Sequence, residues 1–450
     1  MKVEHLSTEV IKPCTSTPLS LRDYKISIVD ELAPVMNVPV ILYYPTDDIH
    51  SSGKENGTSI SKCMHLKKSL SKVLTRFYPF AGRYMKDLYM VNCSDQGAEF
   101  VEAKVDIRLD ELIGRGKDMK VELLNSLLPR PIGAGDEVTD PMLAVQVSVF
   151  ACGGCAIGVL SSHRIADIST ISTLIKEWAT DAKLLLGAFD ENDPVPVSPI
   201  WNSASLFPGK KMSGLPLGLI REKENIDNPK FATKKFYFSS SAIAKIRKKA
   251  RLDNSSEKLP TRVQSLWGII GKAIIDINVA NPEKPRGFLI IQAVNMRERT
   301  DPPIPKNQCG NLYLISTVQS LAGEKGVEFQ GLVDNLTRFV KRDVEVCKML
   351  WTAGNGAQLI SQGFNELIKC LTDPEMSCVN LFTDWSKSPF YEADFGWGKP
   401  VWVSSVNVPV INHVYLLRDK SGEGIEAWVN LKIDDMPKFE QDSNIMEFTT

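Results

Sequence analysis

Alternating apolar and polar positions define a compact pattern near residue 150. Apolar residues at every second position from 143 to 149 predict a strand, and the apolar run at residues 156–162 predicts a second, more buried one. The two glycines at residues 153–154 favour a tight turn between them. Apolar residues then recur at helical spacing over residues 168–178. The predicted order is strand, turn, strand, short loop and helix.

The same periodicities predict mixed helices and strands along the rest of the chain. Further strands are expected at residues 35–44, 235–239, 288–294, 401–405, 413–417 and 424–431, and helices at residues 62–77, 261–278 and 328–350. Between residues 196 and 230 the pattern weakens and Pro, Gly, Ser and Lys dominate, which predicts a crossover linker. We therefore predict an α/β protein with an N-terminal domain at 1–195 and a C-terminal domain at 231–450.

Length and charge narrow the class of protein. A chain of 450 residues is too long for one ordinary core, which favours two domains. Lys and Arg (53) balance Asp and Glu (54), so no overall field attracts nucleic acid or an anionic membrane. No apolar stretch has the length of a signal peptide core or a bilayer span. We expect a cytoplasmic protein that neither inserts into membranes nor binds nucleic acid.

The nine cysteines show no metal-ligand spacing. Cys152 and Cys155 form a C-x-x-C pair, but the two glycines between them lie in the predicted turn. This context favours structural thiols over a redox or zinc pair. No metal site is predicted.

One of the five histidines is a candidate for catalysis. His163 lies in S-S-H-R-I-A-D, where a buried strand gives way to a helix, and α/β proteins often place reactive groups at such strand ends. An imidazole there can take a proton from an alcohol near neutral pH. His163 could equally be a core histidine with satisfied hydrogen bonds. Asp167 opens the next helix and is a good N-cap, while two possible ligands alone make a metal site less favoured.

A second motif lies about 230 residues further on, at residues 394–400 with the sequence D-F-G-W-G-K-P. Two glycines around a tryptophan permit backbone conformations that other residues rarely adopt. An ordinary tight loop packed by two aromatic rings would also explain the sequence. Nucleophile-elbow, P-loop and dinucleotide-binding motifs are absent from the chain.

Together these two motifs resemble the BAHD acyltransferases of plants, which are marked by H-x-x-x-D near mid-chain and D-F-G-W-G near the C-terminus. Further matching segments lie at residues 78–83, 294–297, 310–311 and 383–385. In its details the chain is most similar to the vinorine synthase-like branch, which acetylates alkaloid and terpenoid alcohols. Ile168, Asn295 and Asp384 depart from residues common in the family.

The resemblance implies two similar-sized mixed-sheet domains with a channel between them. A segment near residues 375–390 is expected to complete the N-terminal domain. It also implies a monomer that holds no permanent cofactor and uses acyl-CoA, favoured as acetyl-CoA, together with a small-molecule alcohol. The expected reaction is direct acyl transfer with His163 as general base.

The resemblance also implies roles for other residues. Asp167 is expected to turn away from His163 and to form an ion pair with Arg297. The D-F-G-W-G residues are expected to be structural, and the remaining candidates are oxyanion donors or channel residues and CoA contacts. The structural set is Asp394, Gly396, Trp397 and Gly398; the oxyanion or channel set is Thr383 and Trp385; the CoA set is Thr261, Arg262 and Asn295.

Two alternatives from other classes stay open at this point. A thioesterase or carboxylesterase would use His163 to activate water and would release free acid. A BAHD-like protein without catalytic activity would only bind its ligands. The sequence does not reveal the acceptor alcohol.

Overall fold

The computed structural model describes residues 1–46, 59–116, 119–133, 137–188, 195–212, 231–251, 259–280, 287–321, 328–352, 356–408, 410 and 412–450. The chain divides into two compact units. The first comprises Met1–Leu215, Asn307–Asn311 and Ser388–Val406, and the second comprises Pro216–Lys306, Leu312–Lys387 and Asn407–Thr450. Among the described helices, none is long and apolar enough to cross a bilayer.

The first unit is built on a six-stranded sheet of order β1-β6-β7-β8-β3-β13. Only β6 and β7 run parallel, and every other neighbouring pair is antiparallel. A small antiparallel sheet of order β2-β5-β4 completes the strands. The strands are Val3–Ile11 (β1), Asp23–Lys25 (β2), Asn37–Tyr44 (β3), Arg83–Met85 (β4), Met90–Asn92 (β5), Ala98–Val105 (β6), Leu143–Phe150 (β7), Cys155–Ser162 (β8) and Trp402–Ser404 (β13).

The α-helices in the described part of this unit are Ile28–Leu32 (α1), Ser59–Arg76 (α2), Leu109–Ile113 (α3), Ile168–Leu185 (α4) and Ser203–Leu206 (α5). Helices α2 and α4 pack together, and the Trp178 indole donates to the main-chain oxygen of Leu66. All eight residues of β8 are buried. Seven of the eight residues of β7 are buried as well, and its polar side chains bond each other there, since Nε2 of Gln146 donates to the Ser148 hydroxyl at 2.9 Å.

The second unit has its own six-stranded sheet, of order β11-β10-β12-β14-β15-β9. The pairs β10–β12 and β12–β14 are parallel, and the others are antiparallel. Its strands are Phe231–Phe238 (β9), Gly287–Asn295 (β10), Tyr313–Leu321 (β11), Met376–Asp384 (β12), His413–Arg418 (β14) and Ile425–Lys432 (β15). Its helices are Ser240–Lys249 (α6), Arg262–Val279 (α7), Phe329–Thr352 (α8), Gly356–Thr372 (α9), Met436–Glu440 (α10) and Ser443–Phe448 (α11).

The core of the second unit lies between one sheet face and the helices. Phe288 and Ile290 of β10 point towards it, together with Phe382 of β12 and residues of α7 and α8. The Trp267 ring of α7 packs against Phe382 with centroids 5.8 Å apart. Gly271 of α7 faces the same ring, since a Cβ added there would lie 3.4 Å from Phe382, which is about an ordinary contact distance.

Most predicted elements are present within a few residues of their expected bounds, and the mixed α/β class is confirmed. Strand β1 is not among the predicted strands, because seven of its nine residues are polar or exposed and it forms a sheet edge. Strands β11 and β12 and helix α9 were not predicted.

Two predicted boundaries need correction. The segment that returns to the first unit is Ser388–Val406, whereas Met376–Asp384 is a strand of the second sheet, so the expected position at 375–390 is wrong. The short strand β13 makes the return, since it pairs with β3. Residues 196–212 of the predicted linker belong to the first unit and include α5. Residues 213–230 lie outside the described part of the chain.

Gly158 of β8 supplies a test of this packing. An added Cβ would lie 2.2 Å from the main-chain oxygen of Leu127, which no side-chain rotation can relieve. We expect Gly158→Ala to destabilise the first unit by about 1–3 kcal/mol and to lower the melting temperature. Gly363→Ala is the control, because its Cβ would meet no atom within 4 Å inside helix α9. Gly363→Ala should raise the stability slightly. Equal melting temperatures for the two variants would contradict the close packing of Gly158 against Leu127.

Candidate active site

His163 follows directly on the buried strand β8. Its main-chain N–H donates to the main-chain oxygen of Met36, 3.0 Å away, at the start of β3. The chain then turns through residues 164–166 and enters helix α4 with Asp167 as N-cap. The backbone of His163 is thereby fixed between a central strand and a helix.

A buried carboxylate and a carboxamide fix the other side of the His163 backbone. The Nδ2 group of Asn311 donates to the main-chain oxygen of His163 at 2.6 Å and to Oδ1 of Asp30 at 2.8 Å. The Asn311 main-chain N–H donates to the same Asp30 oxygen at 2.8 Å. Asp30 and Asn311 are both fully buried. Three chain segments that are distant in sequence therefore meet at His163.

Asp30 is held in place by its own helix. Ser27 caps α1, and its N–H and hydroxyl donate to Oδ2 of Asp30 at 2.8 and 2.7 Å. The Ser203 hydroxyl lies 3.4 Å from the same oxygen. Burial raises the pKa of Asp30, and the hydrogen bonds from Asn311 and Ser27 oppose that rise.

Sequence reasoning did not identify Asp30 as a site residue, and it recorded Asn311 only as part of a matching segment. The S-x-x-D pattern at residues 27–30 is a helix-capping signal that could have been noted. The contact between Asp30 and Asn311 joins residues 281 positions apart. Local patterns do not report on such a separation.

His163 is half-buried, and desolvation of its ring lowers the pKa below the usual 6.5. Its own main-chain carbonyl, the Asp167 carboxylate and the Asn311 side chain act in the opposite direction without reversing the shift. A lowered pKa leaves the ring neutral at pH 7. A neutral ring is the form that can accept a proton from an alcohol.

Asp167 acts as a helix cap in the structure. Its Oδ1 accepts from the main-chain N–H of Thr170 at 2.9 Å. The Thr170 hydroxyl in turn donates to the main-chain oxygen of Gly310 at 3.0 Å, next to Asn311. The start of α4 is therefore tied to the segment that holds His163. The expected ion pair between Asp167 and Arg297 stays a prediction.

The D-F-G-W-G loop belongs to the first unit. Oδ1 of Asp394 accepts from the main-chain N–H groups of Gly396 and Gly398, both at 2.9 Å. The two glycines have φ of +102° and +97°, a left-handed region that other residues rarely adopt. Lys183 of α4 lies 3.7 Å from Oδ2 of Asp394.

The aromatic rings of this loop pack on the C-terminal half of α4. Phe395 lies edge-on to Trp178, with centroids 4.9 Å apart, and Trp397 stacks on Phe395. His163 precedes the other end of the same helix. At 1.5 Å per residue, Asp167 and Lys183 are about 24 Å apart along the axis. The loop therefore lies against the end of α4 remote from the histidine.

The CoA candidates lie in the second unit. Thr261 caps α7 in a capping box with Gln264, as its position before an apolar periodic stretch predicts. The Arg262 guanidinium donates to the main-chain oxygens of Gly422, at 3.3 Å, and Glu423. Asn295 accepts through Oδ1 from the N–H and the Nη1 group of Arg297, at 3.0 and 3.3 Å. Their expected part in binding CoA is untested.

Thr383 and Trp385, the oxyanion or channel candidates, lie at the end of β12. The Thr383 hydroxyl is 3.4 Å from Nε2 of His413, a buried histidine whose pKa burial lowers to about 4. Trp385 stacks on Tyr415 with ring centroids 5.2 Å apart. Sequence reasoning did not single out His413. Strands β12 and β14 are adjacent and parallel, which brings these residues together.

The cysteines are free thiols, and in the described ranges no three His, Cys, Asp or Glu side chains gather as metal ligands would. Cys152 is half-buried at the β7–β8 turn, whereas Cys155 is buried within β8. Neither position resembles a metal or disulfide site.

Comparisons with known proteins identify the class. Over residues 1–446 the chain matches the family described as the Transferase family. It is 36% identical to a malonyltransferase of Salvia splendens, which acts on a pelargonidin glycoside, and 34% identical to a limonoid 1-O-acetyltransferase of Citrus sinensis. The first alignment covers 100% of both chains, and the second covers 100% of this chain and 99% of the relative.

The crystal structure of vinorine synthase is similar over 100% of this chain and 98% of that one, with a TM-score of 0.80 and 30% identity. Two mixed-sheet units of this kind define the CoA-dependent acyltransferase fold. The chain belongs to the transferase family matched here, the BAHD acyltransferases. It is an acyl-CoA-dependent O-acyltransferase.

Asn311 provides the test of how His163 is held. Asn311→Ala removes the Nδ2 bonds to Asp30 and to the main chain of His163, so we expect kcat to fall about 10- to 100-fold with a smaller change in KM. Asn307→Ala is the matched control, since its side chain also donates to a main-chain oxygen, that of Ser198, from the same segment. Both variants should be measured by steady-state kinetics. Equal losses of activity in the two would contradict the role of Asn311 in holding His163.

Proposed function

We propose that this enzyme transfers an acetyl group from acetyl-CoA to a hydroxyl group of a plant specialised metabolite, a triterpenoid or an alkaloid. The observation that carries the proposal is a half-buried histidine at the end of β8, whose pKa desolvation lowers and whose backbone is hydrogen-bonded on both sides. The donor and acceptor classes are supported by the limonoid acetyltransferase and by vinorine synthase as similar proteins.

In the proposed mechanism, His163 takes the proton of the acceptor hydroxyl as its oxygen attacks the thioester carbonyl. A C–O bond forms, and the carbonyl oxygen gains negative charge that needs hydrogen-bond donors. Thr383 or the Trp385 indole are the candidates for this role. The intermediate collapses by breaking the C–S bond, and the CoA thiolate recovers the proton from His163. No acyl-enzyme forms.

The remaining candidates support this chemistry. Asp167 and Arg297 would form a buried ion pair that holds the start of α4, and loss of one partner of such a pair costs about 3–5 kcal/mol. Asp394 would keep the D-F-G-W-G loop in shape rather than act on the substrate. Thr261 and Arg262 would meet the phosphates of CoA at the start of α7, and Asn295 would lie close to the same ligand.

Transfer is expected to depend on both the donor and an alcohol. Purified enzyme should be incubated with acetyl-CoA or malonyl-CoA and a panel of limonoid, alkaloid and anthocyanin alcohols, with products identified by mass spectrometry. We expect acetylated limonoid or alkaloid products. Malonyl-CoA is included because a malonyltransferase is among the most similar proteins. A preference for malonyl-CoA would show that the donor is malonyl-CoA rather than acetyl-CoA. Release of free acid without an alcohol would indicate a hydrolase. No turnover at all would indicate a protein that only binds its ligands.

His163→Ala should abolish transfer while leaving the fold intact. General-base catalysis is worth about 100- to 10,000-fold, so residual turnover above a few per cent of wild type would contradict the assignment.

The pH dependence gives a second check. The base must be neutral, and burial lowers the pKa of His163, so kcat/KM should fall at acid pH with a midpoint below 6.5. A midpoint above pH 7 would contradict His163 as the titrating base.

A further inference from the structure

A second buried carboxylate lies next to Asp30 on helix α1 and has no part in the mechanism proposed above. Glu31 is 2% exposed. Its two carboxylate oxygens accept hydrogen bonds from three consecutive main-chain N–H groups, those of Lys210, Lys211 and Met212, each at 3.0 Å. Hydrogen bonds to an ionised group are among the strongest in proteins, and they offset the cost of burying the charge.

The backbone of residues 207–212 is shaped to receive this carboxylate. An added Cβ on Gly209 would lie 2.3 Å from Oε1 of Glu31, so a side chain there would displace the carboxylate. Lys211 has φ of +56°, which turns the chain and directs successive N–H groups to one side. The main-chain N–H of Ile28 also donates to the oxygen of Phe207 at 3.0 Å. We call Glu31 and the three N–H groups the latch.

Helix α1 connects the latch to His163. The helix has five residues, too few to be stable alone, so its position depends on the groups that it bonds. Asp30 holds Asn311, and Asn311 holds the main-chain oxygen of His163. Arg164, the residue after His163, donates through Nη1 to the main-chain oxygens of Glu31 at 2.9 Å and Ala33 at 3.3 Å.

We propose that Glu31 is a positioning residue for the acyl-transfer reaction: by binding residues 210–212 it fixes α1, and α1 fixes His163 through Asp30 and Arg164. The inference rests on the proposed role of His163 as general base. It adds that residues 210–212 set the geometry of the base, although their N–H groups bond Glu31 and not His163 or Asp30.

Glu31→Gln is the direct test. The amide keeps one acceptor oxygen and places an NH₂ group against main-chain donors, so the latch should open while the shape of the side chain is kept. We expect kcat to fall about 10- to 100-fold, the loss expected for a displaced catalytic group. The KM values for acyl-CoA and alcohol should change little, because the latch does not bind substrate.

Gly209→Ala opens the latch from the opposite side. The new Cβ would displace the Glu31 carboxylate without altering any residue of α1. It should reproduce the fall in kcat with unchanged KM values. If Glu31→Gln impairs folding, this variant still tests the proposal.

Glu177→Gln is the matched control. Glu177 is also 2% exposed and accepts from a main-chain N–H, that of Val197 at 2.8 Å, while pairing with Arg76. It lies ten residues after Asp167, which is about 15 Å along the axis of α4. We expect it to lower the melting temperature as the latch variants do but to leave kcat close to wild type.

The ring resonances of ¹⁵N-labelled His163 provide a readout that does not depend on turnover. The chain has five histidines, so the His163 signal can be assigned by its loss in His163→Gln. Both latch variants should shift this signal, and Glu177→Gln should not. The proposal is overturned if the latch variants leave the His163 resonances unchanged, or if their loss of kcat matches that of Glu177→Gln at equal melting temperature.

Failure of the proposed function gives a different pattern. In that case His163→Ala keeps its activity, whereas the latch variants can still shift the His163 resonances. The kinetic part of the proposal then falls, and the structural coupling between Glu31 and His163 stands. Unchanged resonances with an inactive His163→Ala would instead reject the latch and retain the base.

Discussion

The buried carboxylate of Asp30 is the interaction on which the candidate active site depends. It accepts from five donors, which come from Ser27, Ser203 and Asn311. These donors belong to segments that are far apart in sequence, so the charge can be buried only when all of them have assembled. Because an unsatisfied buried charge is strongly unfavourable, this requirement selects one arrangement of the chain around His163.

The two adjacent acidic residues of α1 bind different segments of the chain. Asp30 turns towards the segment that holds His163, and Glu31 binds the main chain of residues 210–212. Side chains at neighbouring positions of a helix point about 100° apart, which lets one short helix reach two different segments. The backbone of His163 is held by Asn311, whose side chain also donates to Asp30.

Helix α4 likewise contacts a different segment of the chain at each of its ends. Its first turn is capped by Asp167 and bonded to Gly310, whereas its second half carries the rings of the D-F-G-W-G loop. Asp394 closes that loop on two of its own N–H groups. The two sequence motifs that mark the family thus meet one helix at opposite ends, and only the first lies close to the candidate base.

The sequence by itself determined the α/β class, the positions of the long helices α2, α4, α7 and α8, and the strand–turn–strand–helix unit that contains His163 and Asp167. These features follow from periodicity and capping, which are local properties of neighbouring residues. The tertiary structure alone decided that Ser388–Val406 joins the first unit, that β12 joins the second sheet, that Asp30 and Asn311 hold the backbone of His163, and that Glu31 binds residues 210–212. The physical reason is that each of these depends on hydrogen bonds between residues far apart in the chain. A local pattern of side chains does not encode which distant donor will satisfy a buried acceptor.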